Sequence, residues 1–294
     1  MPEFTFQPAD LQRLKRLAFA ARLPTAMGTS GSHRIRRSGE GMEFLDFRPY
    51  TTGDDFRRID WALYGRLREL VIRVTEAEES LYVTSLVDVS ASMTFGRPVQ
   101  KVEMACQLAC ALSYIMLALG DRVSTGTFAG HLDRVLGPVQ GLGQIGRIMS
   151  HLRDAPAGGA TDSKAAVTEY LRQRRHRGLV VLISDFLGSH DPEAAIDALA
   201  RHRNRVLVLQ VLDDLDFGDG LDGSLDMEDS ESGARLDVDV SAAERRAVRR
   251  RVEAFCERLA GYCRRRQHAY LLARTRDSYL ERLAQAYRDK VFRP

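Results

Sequence analysis

Four short apolar runs constrain the fold of this chain more than any other feature: LYVTSLV (81–87), GLVVLIS (178–184), RVLVLQVL (205–212) and AYLLA (269–273). Each is rich in branched side chains and too short for a core helix, which is how a strand buried on both faces reads. Such a strand needs parallel neighbours and a helical layer above and below it. The segments between them supply those layers. Helical spacing recurs near 105–119, 143–153, 163–175, 192–202, 241–266 and 277–289. In the longest of these, Ser241 and Glu244 have capping-box spacing, and Val248, Val252, Phe255, Leu259 and Tyr262 mark one face. Two more strands are expected over Arg122–Phe128 and Leu132–Val139. The pattern predicts an α/β fold with a mostly parallel, doubly wound sheet and helices on both faces.

Upstream the texture differs. Leu11, Leu14, Leu17, Ala18 and Ala21 predict an amphipathic helix over 8–22, and the glycine- and serine-rich stretch 28–41 predicts a loop. From Glu43 to Glu79 short apolar patches alternate with polar residues around TTGDD, the texture of a small β-rich segment. The expected division is therefore 1–38, 39–79 and 80–294. Residues 213–239 are dense in carboxylates, with Arg235 the lone base. They lack calcium-loop spacing and read as a solvated hairpin or an acidic loop.

Composition narrows the function classes. Of 43 basic residues only Lys15, Lys101, Lys164 and Lys290 are lysines, yet 40 acidic residues are interleaved with the arginines and the net charge is only +3. Charge of this kind reads as solvated or ion-paired, and no nucleic-acid partner is expected. The clusters that would carry that alternative are His33-Arg34-Ile35-Arg36-Arg37 and Arg264-Arg265-Arg266, the second placed where cations complement a helix end. The N-terminus lacks a signal-peptide build, and the apolar stretch Ala105–Leu119 falls short of the ~20 residues that cross a bilayer. Cys106, Cys110, Cys256 and Cys263 form no Cys-x-x-Cys pair and read as core residues of a reducing compartment. A cytoplasmic protein without membrane insertion is expected.

The first run ends in Asp88-Val89-Ser90-Ala91-Ser92. This sets one carboxylate and two hydroxyls on the rim where open α/β sheets bind ligands. Thr161, in GGATDSKAAV, and Asp185, ending LISDF, add oxygens from two other loops. All are hard donors, suited to Mg2+, Mn2+ or Ca2+. In this order and loop context the five residues resemble the metal-ion-dependent adhesion site of a von Willebrand factor A domain, a likeness that extends over about 80–275. The resemblance implies a metal held directly by Ser90, Ser92 and, in some states, Thr161. Asp88 and Asp185 would act through water, and a partner carboxylate would complete the shell. Here Ala160 intervenes where the family has Gly-Gly-Thr. A site so short of charge is expected to fill only weakly without its partner.

A second signature runs from Gly39-Glu40-Gly41-Met42-Glu43-Phe44 through Arg48-Pro49-Tyr50-Thr51-Thr52-Gly53-Asp54-Asp55-Phe56-Arg57-Arg58-Ile59-Asp60-Trp61 to Arg66. Locally it reads as a turn at Gly53-Asp54-Asp55, with Asp60 and the arginines pairing across it and Trp61 anchoring the segment to something apolar. The run is very similar to the signature of the domain of unknown function 58 family, which joins it to a von Willebrand A-like domain. The resemblance implies an adaptor that works with a MoxR-type AAA+ ATPase in chaperone-like handling of an unknown protein client. Gly53, Asp54, Asp55, Arg57, Asp60, Trp61 and Arg66 are its candidate partner-binding residues. A non-enzymatic role is expected. The alternative is a metal-dependent hydrolase or phosphatase, against which Asp88 lacks a second adjacent carboxylate and the seven histidines are scattered.

Overall fold

The structure, a computed structural model, describes residues 8–22, 34–35, 43–78, 80–174, 176–188, 191–221, 223–228 and 235–289. Most of the loop expected over 28–41, the Gly39–Met42 part of the signature and the bases Arg36 and Arg37 lie outside the described residues. In chain order the elements begin α1 (Pro8–Arg22), β1 (Arg34–Ile35), β2 (Glu43–Pro49), α2 (Trp61–Leu67) and β3 (Val71–Glu78). Then come β4 (Tyr82–Asp88), α3 (Lys101–Ala118), β5 (Arg122–Phe128), β6 (Leu132–Gln140), α4 (Ile145–Arg153), α5 (Ser163–Gln173) and β7 (Leu179–Ser184). The chain closes with α6 (Pro192–Arg201), β8 (Arg205–Leu212), β9 (Gly223–Glu228), β10 (Arg235–Val240), α7 (Ala242–Arg265), β11 (Ala269–Arg274) and α8 (Tyr279–Arg288). They pack as two units, residues 21–80 and residues 1–20 with 81–294.

The larger unit is built on a six-stranded sheet of order β11-β8-β7-β4-β5-β6. Every pairing is parallel except that of the edge strand β6 with β5. Strand alternation sends side chains to two cores. Val83, Val87, Val181, Ile183, Leu207 and Leu209 meet α3, α4 and α8 on one face. Leu86, Val180, Leu182, Val206 and Val208 meet α5, α6 and α7 on the other. The near-continuous apolar runs follow from this, because neither side of a central strand sees water. The mixed α/β architecture with a mostly parallel sheet is the one the sequence predicts.

The helix α3 is the centre of the first core. Gln100 and Glu103 form a capping box that starts it, and it is buried nearly all round. Alone among the described residues it is long and apolar enough to cross a membrane, and 72% of it is buried inside the protein. It carries Cys106 and Cys110, while α7 carries Cys256 and Cys263; all four thiols are free and buried. Burial pushes Cys106 and Cys263 up to about 12. The helix expected at the N-terminus is present as α1, and its Leu14 and Ala18 belong to the same core as α3.

The smaller unit has an antiparallel sheet of order β1-β3-β2, with α2 inserted between β2 and β3. Helix α2 was not foreseen in this β-rich segment. Asp60 caps its start through the Leu63 N–H (3.0 Å), and Arg68 ends it in a left-handed conformation at φ 59°. In the acidic segment, β9 and β10 form a hairpin, one of the two readings the composition allows. The turn before it is only partly solvated: Phe217 is 2% exposed and packs with Leu212 and Cys256.

Truncating Leu14, which is fully buried, tests the place of α1 in the core. Leu14→Ala is expected to lower unfolding stability by about 2–5 kcal/mol in urea titration. A loss below about 0.5 kcal/mol would place α1 outside the cooperative core.

Candidate metal site at the carboxyl edge of the sheet

From β4 the chain crosses to β5 on one side, and from β7 it crosses to β8 on the other. The loops after these two adjacent strands therefore diverge, which is where open α/β sheets hold their ligands. Asp88 ends β4, and Ser184 with Asp185 ends β7. The Asp88 carboxylate is fully buried. Its Oδ1 accepts the Ser90 N–H (2.9 Å), and its Oδ2 accepts the hydroxyls of Ser184 (2.6 Å) and Thr161 (2.9 Å). Ser90 Oγ and Ser92 Oγ lie 3.2 Å apart, with Ser90 buried and Ser92 partly open.

Thr161 reaches this point because its loop is tied to the loop after β4. Gly158 N–H donates to the Val89 carbonyl and Ala91 N–H to the Gly159 carbonyl, each at 2.8 Å. Gly158 and Gly159 adopt φ of 138° and 82°, which side chains disfavour, so the glycine pair serves the backbone. Ala160 does not keep Thr161 from Asp88.

Asp185 is turned toward a residue that spacing did not single out. Its Oδ2 accepts from Lys101 Nζ at 2.7 Å, and its Oδ1 from the Leu187 N–H at 3.1 Å. Lys101 opens α3 with its side chain only 3% exposed, and it also donates to Asp216 Oδ1 at 3.2 Å. Asp185 and Asp216 thus share one ammonium, and Asp88 stands near enough to feel the Asp185 charge. Burial pushes the Asp88 carboxyl up to about 6, against the hydrogen bonds from Ser184 and Ser90 and with a smaller push from the Asp185 charge. Burial also opposes the Lys101 charge, but Asp185 and Asp216 outweigh it and raise its pKa. Burial raises the Asp216 carboxyl in spite of Lys101.

The structure therefore brings Asp88, Ser90, Ser92, Thr161 and Asp185 to one edge of the sheet. Sequence reasoning missed Lys101, Ser184 and Asp216. A readable signal existed for Lys101, one of four lysines and set against the apolar residues that open α3. None marked Asp216, which looked like one more acid in a solvated run. Among the described residues no three His, Cys, Asp or Glu side chains gather as a metal cage. The oxygen set at Asp88 is instead mostly hydroxyl, with the buried acids short of positive charge.

The signature turn has a different character. Asp54 accepts both Arg48 guanidinium nitrogens (2.7 and 2.6 Å), together with the Thr51 N–H (2.9 Å) and the Thr51 hydroxyl (2.8 Å). Arg48 and these donors hold its carboxyl well below the usual range. Asp55 caps the Phe56–Arg58 turn through the Arg57 N–H (3.0 Å). The pair across the turn is thus Arg48–Asp54, while Asp60 serves as the cap of α2. Trp61 does not anchor the segment in an apolar pocket: it is 59% exposed and meets Tyr64 edge-on at 6.1 Å. Gly53 takes φ 111°, Arg57 lies over the Phe56 ring, and Arg66 is exposed in the last turn of α2.

Residues 46–258 match the family described as "Protein of unknown function DUF58". The chain belongs to the DUF58 family. An uncharacterised protein of Mycobacterium bovis is 31% identical over 220 residues, covering 73% of this chain and 69% of that one, and a Mycobacterium tuberculosis protein matches to the same extent. Among solved structures, a conserved hypothetical protein BatB from Bacteroides thetaiotaomicron is similar at 16% identity and a TM-score of 0.45, covering 73% of this chain and all of its own. An aerotolerance-related membrane protein from Bacteroides fragilis is similar at 17% identity and a TM-score of 0.42, with the same coverage. The DUF58 match contains the signature turn, the Asp88 set, Lys101 and Asp216, whereas α1, β11 and α8 lie outside it.

Two measurements check this geometry. The folded Asp88 pKa of about 6 lies above the unfolded value near ~3.9, so its stabilising contribution is complete below pH ~4 and is lost as pH rises through about 6. In chelator-treated protein, wild-type stability relative to Asp88→Asn should therefore fall by roughly 3 kcal/mol between pH 4 and 7. A relative rise over that interval would mean that the donors around Asp88 outweigh its burial. In the smaller unit, Asp60→Ala removes a helix cap and should cost about 1 kcal/mol in thermal or urea unfolding; an unchanged midpoint would remove Asp60 from that role.

Proposed function

We propose that this DUF58 protein is a divalent-cation-dependent, protein-binding adaptor of the von Willebrand factor A type. The observation that carries the reading is the charge imbalance at the carboxyl edge of the sheet. Asp185 and Asp216 share the single ammonium of Lys101. Among the described residues the buried Asp88 carboxylate is met only by hydroxyls and a backbone N–H, beside the buried Ser90 and the partly open Ser92. Ser90 and Ser92 are the direct ligands, with Thr161 joining in some states. Asp88 and Asp185 act through water, consistent with their engagement by hydroxyl groups and by Lys101. A bound Mg2+ or Mn2+ supplies a Lewis-acidic position whose charge, little diminished by neutral hydroxyls, is available to a partner's carboxylate.

The chain's own residues shape what that carboxylate can belong to. Phe95, Leu187 and Leu215 are 49%, 39% and 37% exposed, and each lies on a loop tied to this edge. The Phe95 carbonyl accepts the Lys101 N–H (2.6 Å), the Leu187 N–H donates to Asp185, and Leu215 adjoins Asp216. They favour an acidic residue flanked by apolar ones. Phe56 and Trp61, 62% and 59% exposed, offer a second apolar contact surface in the signature segment. Carboxylates, hydroxyls and one ammonium in mutual hydrogen bonds hold and orient a ligand, which favours binding over hydrolysis. The partnership with a MoxR-type ATPase and an unidentified client comes from the family resemblance.

Calorimetric titration of Mg2+ and Mn2+ into wild type and Ser90→Ala/Ser92→Ala tests the site. Heat of binding in the wild type, lost in the folded double variant, is the expected result. Equal binding by both would remove the serines from the site. Capture of a MoxR-type ATPase should then depend on Mg2+ and fail in Asp88→Ala; capture indifferent to both would separate any partnership from this site.

A further inference from the structure

At the opposite, amino-terminal edge of the sheet the charge reverses. Helices α5 and α6 end side by side there, and the segments leading into β7 and β8 enclose a cavity of ≈ 350 Å³. Arg174, Arg177, Arg201, Arg203, His176 and His202 line it, and no carboxylate does. None of the four guanidinium groups has an acidic partner among the described residues. Arg174 donates through Nη1 to the Gly137 carbonyl (3.3 Å), while its buried Nε has no hydrogen-bond partner.

The floor is built rather than incidental. Asn204 is 8% exposed; its Oδ1 accepts the Gly178 N–H (3.3 Å) and its Nδ2 donates to the Leu199 carbonyl (3.2 Å). The Arg205 N–H donates to the Gly178 carbonyl (2.9 Å), so the two segments are tied across β7 and β8. Arg203 sits at φ 60°, a conformation costly for a side-chain-bearing residue and held here by the turn off α6.

Two helix ends account for part of this charge. Each carboxyl terminus offers the equivalent of about −0.5, which leaves most of four guanidinium charges uncompensated. We propose that this cavity binds a phosphate-chain ligand, with Arg174, Arg177, Arg201 and Arg203 as the anion-holding residues. A carboxylate brings one charge for its volume. A phosphate group brings about −1.5 to −2 with three acceptor oxygens, matched to the planar fork of arginine. The cavity is of small-ligand size, and the phosphate chain is the chemistry shared by free oligophosphate and nucleotides.

The experiment titrates tripolyphosphate and ATP into the full chain in chelator, so that no bound cation bridges the ligand to Asp88. Wild type is compared with Arg177→Gln/Arg203→Gln and with Arg250→Gln/Arg251→Gln, an equal charge change on the exposed face of α7. The expected result is saturable binding of tripolyphosphate that weakens at least about tenfold in the first variant and stays within about twofold in the second. Equal binding of ATP assigns recognition to the phosphates of either source, and tighter ATP binding assigns the physiological ligand to a nucleotide. The proposal falls if tripolyphosphate binds no better than sulfate at equal ionic strength, or if both variants weaken alike. It falls also if a glutamate-rich peptide binds more tightly than either phosphate compound. Both variants alter exposed side chains, and unchanged melting of the ligand-free proteins confirms that loss of binding is not loss of fold.

Discussion

Lys101 brings one full positive charge to a place where water scarcely reaches, and the carboxyl edge of the sheet is organised around it. Its ammonium joins the first turn of α3 to the end of β7 through Asp185 and to the turn after β8 through Asp216. Asp213 extends the stitching. It accepts the Arg97 N–H (2.9 Å), the Leu215 N–H (2.9 Å) and the hydroxyl of Thr275, which follows β11. The segments after four parallel strands are thereby held to one another by carboxylates. Buried ion pairs contribute little net stability, but removing one partner leaves an uncompensated charge at a cost of several kcal/mol. The device fixes where the loops stand, and with them Asp88, Ser90 and Ser92.

The same edge shows what a sequence can and cannot disclose. Strands β4, β7 and β8 were legible because burial on both faces keeps their runs nearly all apolar, and the partly buried edge strand β11 because its run is short and apolar. The Asp-x-Ser-x-Ser motif was legible because its carboxylate and both hydroxyls sit within five residues of chain at the end of β4. Lys101, Ser184 and Asp216 were not, since their meaning lies in contacts across the sheet and 84 or 115 residues of chain. Asp213 and Asp216 were read as solvated, because a run of acids looks alike whether it meets water or a buried lysine. For the residues that follow, composition left a hairpin and a loop open, and the structure has the hairpin.

The signature segment teaches the reverse lesson. Its acids looked like a recognition surface, yet Asp54, Asp55 and Asp60 are spent on a bidentate arginine and on the starts of two helical turns. Helix α2 escaped notice because seven residues give too few periods to read, and its start depended on a single cap. What remains exposed are Phe56, Arg57, Arg66 and Trp61, of which sequence reasoning had sent Trp61 inward. A lone tryptophan is ambiguous in this way, since its large apolar surface serves a core and an interface equally.

Parallel strands also give the larger unit a direction. Even after its ion pairs with Lys101, Arg274 and Arg276, the carboxyl edge keeps an excess of aspartate, while the amino edge carries arginines with no acidic partner among the described residues. The unit therefore has an electric moment along its strands, only partly offset by helices whose dipoles run the opposite way. A charged body approaching through dilute salt would be turned before it is touched, acidic surfaces toward one end and cation-bearing ones toward the other. That torque fades beyond about 10 Å at 0.1 M salt, so ionic strength governs how often an encounter begins in a productive orientation.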